Sequence, residues 1–411
     1  MEDYNIRDIA GDLRVVEKDD KWNVVDKNGD LISDMWFDAI VTTPYDNLFR
    51  VVLDDKWNFM NQFGELTFHD LEMGDDWLDD CLDFVNGFSQ VRYGAMWKYA
   101  NNNGESICDE WFRNVGDFLE DGVGVVWNFD EECNIMDGNG HILSDEWFNN
   151  IAWYKGYGEV ERKDGKENYI DKNGKLLSDE WFDIVFEFKC DVAMVKRDKK
   201  YNFINKEGKL ISEEWFVDAD NFYEGWGVVA NSMNKYNLID KNGNYLSSEW
   251  FKYVNHFVGG FCCVENNSNE WNYIDKNGNY LSSEWFKRVY NFQNDYGIVY
   301  KEKRKCNYID KEGKILSDIW FDEVYPFDED YGIVYNEKRK CNYINKEGKI
   351  LSDIWFDKVY QFKGDYAFIE INGKNGFINK KGLAFERMWE ADKNGKLKEI
   401  NIQRLRMGFE S

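Results

Sequence analysis

A glycine that returns eleven times limits what this chain can become. Gly29, Gly64, Gly104, Gly140, Gly174, Gly208, Gly243, Gly278, Gly313, Gly348 and Gly382 recur at spacings of 34 to 40 residues, inside variants of the stretch DKNGNYLSSEWF at 275–286. In ten repeats a tryptophan follows the glycine by seven residues, as Trp285 follows Gly278, and Trp77 is displaced by an insertion. A fixed period of this length marks a repeat architecture, in which each module buries its apolar face against its neighbours. The 411 residues therefore read as one array rather than the two or three domains that length alone suggests.

Within a repeat, GIVYK at 297–301 reads as a strand, and KWNVVDKNGDLI at 21–32 reads as strand, tight turn and strand. Ser33 and Asp34 are placed to cap a short helical turn that delivers Trp36 and Phe37 together into the core. The recurring Ser178, Ser247, Ser282 and Ser317 have the same explanation. The expected fold is all-β: an open, solenoid-like array of about eleven three-stranded antiparallel units, with a closed propeller-like ring as the alternative. Residues 13–390 form the array, 1–12 an N-terminal cap and 391–411 a C-terminal cap whose Lys and Arg give the last repeat a polar outer face.

Charge narrows the partners. Against 51 Lys and Arg stand 78 Asp and Glu, and a net charge of -27 repels nucleic acid and anionic lipid over the surface as a whole. No apolar run near the start suits a signal peptide or membrane span, so the expected compartment is the cytoplasm, or a virion for a phage protein. Of eight cysteines, Cys133, Cys306 and Cys341 stand where other repeats carry Trp or Tyr, and Cys262 and Cys263 are adjacent; no CxxC pair exists. They read as free, buried thiols in a reducing compartment.

Candidate chemistry is sparse. The stretch from Asp275 to Glu284 has its glycine fourth and its Glu tenth, the wrong spacing for a helix-loop-helix calcium site, and a hairpin turn explains it. His69, His141 and His256 stand at three unrelated offsets, which argues against a repeated metal site or a shared acid-base pair. No cofactor is expected. Two surfaces remain. The insertion near 65–76 gathers His69, Asp70, Glu72, Asp75 and Asp76 into one loop, where a partner with a basic patch would find an address that the uniform repeats lack. Tyr290, Tyr325 and Tyr360 are the best candidates for exposed, ligand-facing aromatics. The basic runs KEKRK at 301–305 and NEKRK at 336–340 read as solvated hairpin tips.

At KWN, 21–23, and GKNGFINKKG, 373–382, the chain resembles the WG-repeat family of bacteria and phages, over about residues 13 to 390. The family's repeat opens with Lys-Trp-Gly and turns at Lys-Asn-Gly or Lys-Thr-Gly. Its opening glycine is Asn here at nine of eleven places, Asn23 and Asn307 among them, with Lys98 and Gly376 as exceptions. Because Asn tolerates positive φ, the exchange is expected to preserve a left-handed backbone. The resemblance implies an all-β repeat protein with no common catalytic residue. The expected function is a non-enzymatic scaffold for protein–protein interaction, with a glycan-binding or surface-adhesion module as the alternative.

Overall fold

The computed structural model describes residues 5–45, 47–69 and 77–385, with the backbone of 389–391 and 397–399. Among these residues there are strands and no helix. The chain divides into two compact halves, Met1–Glu187 with Val195–Asp198 and Lys206–Lys209, and Phe188–Met194 with Lys199–Asn205 and Leu210–Ser411. Both are all-β. Eleven antiparallel sheets have three or four strands in chain order, a twelfth pairs Trp389–Ala391 with Leu397–Glu399, and none closes into a barrel. Asn5–Ala10, expected within a cap, is the first strand of the first sheet and pairs with Leu13–Lys18.

One repeat stands for the rest. Arg288–Gln293, Tyr296–Glu302 and Lys305–Ile309 lie side by side, with Val289 opposite Val299 and Ile298 opposite Tyr308. The third strand differs from expectation. Residues after the DKNG-type turn were expected to complete the sheet, but they add only isolated bridges, Ile309 with Ile315 and Cys306 with Phe321. The segment beyond the Trp-Phe pair supplies the strand instead.

A side chain explains why the ladder stops there. The Nδ2 of Asn307 donates to the carbonyls of Ser317 at 2.7 Å and Ile319 at 3.0 Å, while its Oδ1 accepts from the Tyr308 amide at 2.9 Å. Backbone bonds resume at Cys306 and Phe321, in both directions. The asparagine therefore satisfies carbonyls that a continuing strand would have paired. Asn23, Asn134, Asn168, Asn202, Asn237, Asn272 and Asn342 make the same clasp and are all buried. None of them has a positive φ, nor does Gly376, so the expected left-handed backbone is not the reason for asparagine.

The expected helical turn is also absent. Ser317 Oγ accepts from the Ile319 amide and Ser33 Oγ from Met35, a turn spanning two residues rather than a helix cap. The aromatic pair divides its work. Phe286 is 2% exposed within the cluster of Tyr273, Val289, Phe292, Val299 and Ile309, whereas the half-buried Trp320 of the next repeat packs over that cluster. Phe321 and Trp355 repeat the arrangement one step on. The phenylalanine is core and the tryptophan is the lid between neighbours.

The turn glycine has two causes. Gly313 has φ +81, and a Cβ there would stand 2.0 Å from the carbonyl oxygen of Leu281 in the preceding repeat. Gly29, in the first of the described turns of this kind, has φ +89 and nothing within 4 Å.

Candidate functional site

Of the insertion residues, His69 is described and exposed; Asp70, Glu72, Asp75 and Asp76 lie outside the described residues. The repeat closes around the insertion: Asn58 Nδ2 donates to the Phe68 carbonyl at 3.1 Å, and Leu78 takes the phenylalanine's place in a bridge with Trp57. His69 and His141, unrelated by offset, nonetheless line one open cleft of about 1120 Å³ with Lys98, Glu105 and Cys108. That proximity was not legible in the repeat numbering. Lys98, at the clasp position, is 2% exposed with its ammonium 4.8 Å from the centre of the Trp111 ring. His141 Nδ1 lies 3.2 Å from the Asp137 carboxylate. His256 stands apart, its Nε2 3.0 Å from Asp220. Among the described residues no group of three or more His, Cys, Asp or Glu is placed to hold a metal.

The DKNG-type turns spend their carboxylates on backbone. Asp275 Oδ1 accepts from the amides of Asn277 and Asn279 at 2.9 and 2.8 Å. Burial opposes ionisation of Asp275, but these amide bonds outweigh it and hold its carboxyl below the usual range. All eight cysteines are free, with Cys190 the exposed one.

The three tyrosines are half-exposed. Tyr290, Tyr325 and Tyr360 are 40%, 46% and 48% exposed, each at the same position of successive repeats. Each is held from beneath. The buried Tyr273 donates its hydroxyl to the Tyr290 carbonyl at 2.6 Å, and Tyr308 and Tyr343 do the same for Tyr325 and Tyr360. A phenol that is itself buried and hydrogen-bonded pins the backbone beneath each half-exposed ring.

Between the sheet of Tyr290 and that of Tyr325 runs a cleft of about 740 Å³, lined by Arg288, Tyr300, Arg304, Tyr325, Tyr335 and Arg339 among others. Arg288 sits 4.4 Å from the centre of the Tyr290 ring, a cation–π distance. The hydrogen bond that Tyr325 gives Glu323 raises its phenol, with burial adding to the effect. Arg304 and Arg339 come from the tips of KEKRK and NEKRK, and Arg288 from the start of a strand, so these runs line a wall of this cleft as well as facing solvent.

Sheets in chain order, clasped by asparagines and lidded by tryptophans, define an all-β repeat protein. The model of the family described as "WG containing repeat" matches four stretches of it, residues 24–57, 169–201, 308–339 and 343–374. No curated protein matches the chain. Solved structures that align with it include the computationally designed Ika8 protein, at 12% identity over 65% of this chain and 93% of that one, TM-score 0.24. BamB from Moraxella catarrhalis aligns at 9% identity over 72% and 95%, TM-score 0.22, and Hsv2 from Kluyvelomyces marxianus at 10% over 57% and 92%, TM-score 0.24. TM-scores of this size define no common architecture. Among the described residues no helix is long and apolar enough to cross a membrane.

Proposed function

We propose that the protein is a non-enzymatic repeat scaffold that holds another protein, in the cytoplasm and without nucleic acid, membrane or cofactor as partner. The observation that carries this reading is the tyrosine row. Tyr290, Tyr325 and Tyr360 present half-exposed rings at equivalent positions, each on backbone fixed by a buried tyrosine hydroxyl. Rigid aromatics with a polar tip suit protein recognition, because they bring contact area at little entropic cost. The same rings favour a second reading, a glycan-binding module, since a sugar ring stacks on an exposed aromatic face.

A photo-crosslinking phenylalanine analogue at position 325 separates them. The scaffold reading expects an adduct with one protein in cells, lost when Tyr290 and Tyr360 are both alanine. No protein adduct, together with binding on a glycan array that those substitutions abolish, would establish the second reading. An adduct that survives the alanines but disappears when the loop at 65–76 is shortened would move the partner site to the insertion.

A further inference from the structure

The hairpin tip at Arg339 holds a long side chain in left-handed backbone, as the equivalent tips at Glu131 and Lys199 do. In the two repeats that precede the cleft, the left-handed position of the corresponding hairpin tip is Asn234, φ +54, and Asn269, φ +60; in the next two it is Arg304, φ +62, and Arg339, φ +58. Asparagine visits this region readily and arginine does not, so each arginine is kept at a cost in backbone energy. A residue held against its preference is over-determined by its surroundings, and such sites cluster where a ligand is met. Both arginines line the one cleft described above.

The charges there point the same way. In a chain with 27 more acidic than basic residues, Arg288, Lys303 and Arg339 line this cleft with no carboxylate in ion-pair distance among the described residues. Arg304 reaches Asp322 only at 3.8 Å, through Nε. The lining carries five cations against three carboxylates, a net positive groove in an acidic chain. Its walls also carry Glu302, Asp322 and Glu323, which repel a uniformly anionic polymer, while Tyr300, Tyr325 and Tyr335 offer apolar area. The complement is a short chain in which acidic groups alternate with apolar or neutral ones.

We propose that this cleft binds an acidic peptide segment of the partner protein, with carboxylates set against Arg288, Lys303, Arg304 and Arg339 and side chains laid on the tyrosines. The inference rests on the scaffold reading and adds the partner's chemistry to it.

The test is fluorescence anisotropy of a labelled peptide in which Glu alternates with Leu and Tyr, titrated with the full chain, beside a Lys-for-Glu version. The acidic peptide should bind and the basic one should not, and binding should weaken as salt rises. R304N/R339N, which installs the residues of the preceding repeats, should melt at or above the native temperature and bind the acidic peptide about tenfold more weakly or worse. Unchanged affinity in that variant overturns the proposal, as does failure of the acidic peptide to bind the native chain. A heparin-derived oligosaccharide that binds where the peptide does not overturns it in favour of an anionic sugar. If the cross-link at position 325 persists while the peptide fails, the scaffold reading stands and only the acidic assignment falls.

Discussion

Asn307 and Ser317 are joined by a hydrogen bond of 2.7 Å from the side-chain amide of one to the carbonyl of the other, at a place where the chain leaves its sheet. Asn307 is 0% exposed. Asn307→Ala leaves the buried Ser317 carbonyl and Tyr308 amide and the part-buried Ile319 carbonyl without this partner, and should cost about 1 to 3 kcal/mol. Asn307→Gly should cost at least as much. Were the asparagine there for left-handed backbone, glycine would be neutral or stabilising; urea denaturation of the two variants decides between the two accounts.

Gly313 and Gly29 share a positive φ and differ in what lies beside them. Alanine at Gly29 meets open space and should cost about 1 kcal/mol, the price of the conformation alone. At Gly313 the added methyl meets the Leu281 carbonyl, and the cost should exceed that by about 2 kcal/mol or more. Equal midpoint shifts would show that the neighbouring repeat yields freely.

Phe286→Ala should destabilise by about 3 to 5 kcal/mol, because it empties the centre of a closed cluster. Trp285, half-buried as a lid on the preceding cluster, should lose less on the same substitution. Chemical denaturation that ranks tryptophan above phenylalanine would contradict this division of labour.

Glu159 makes stability depend on pH. Burial raises its carboxyl to about 7 from 4.5, with Glu167 and Glu187 adding to the shift and the Tyr154 hydrogen bond opposing it. Its Oε1 is buried without a partner. The folded state therefore keeps this proton between 4.5 and about 7, where the unfolded chain has lost it, so the contribution is full at low pH and is lost as pH rises through that window. The melting temperature should fall from about pH 5 to about pH 7, and Glu159→Gln should flatten that fall. Superimposable profiles would remove Glu159 from the explanation.

Period, fold class and the exposed tyrosines were legible because they are carried by local pattern: a glycine every 34 to 40 residues, strands of alternating burial, and aromatics four residues past the buried phenylalanine. The clasp was not. Asn307 reads as a turn residue or a strand defect in sequence, and only the position of carbonyls ten and twelve residues on gives it a purpose. The helical turn failed for the same reason, since a serine two residues before an amide in need is compatible with several turns. The cleft was half legible. The runs at 301–305 and 336–340 are plain in the sequence, but that two of their arginines stand in left-handed backbone beside the same groove is a fact of the fold.

What Gly313 meets is a main-chain oxygen, which every amino acid carries, and the same is true of Gly243 against Ile211 and Gly348 against Leu316. At these turns the contact is thus indifferent to side-chain identity on its receiving side, whereas Gly104 meets the side chains of Thr67 and Phe59. A copied segment of the gene brings a working joint at each end, so the array can lengthen or shorten by whole modules without compensating substitutions. The identity of residues 239–252 with 274–287 is the record such copying would leave.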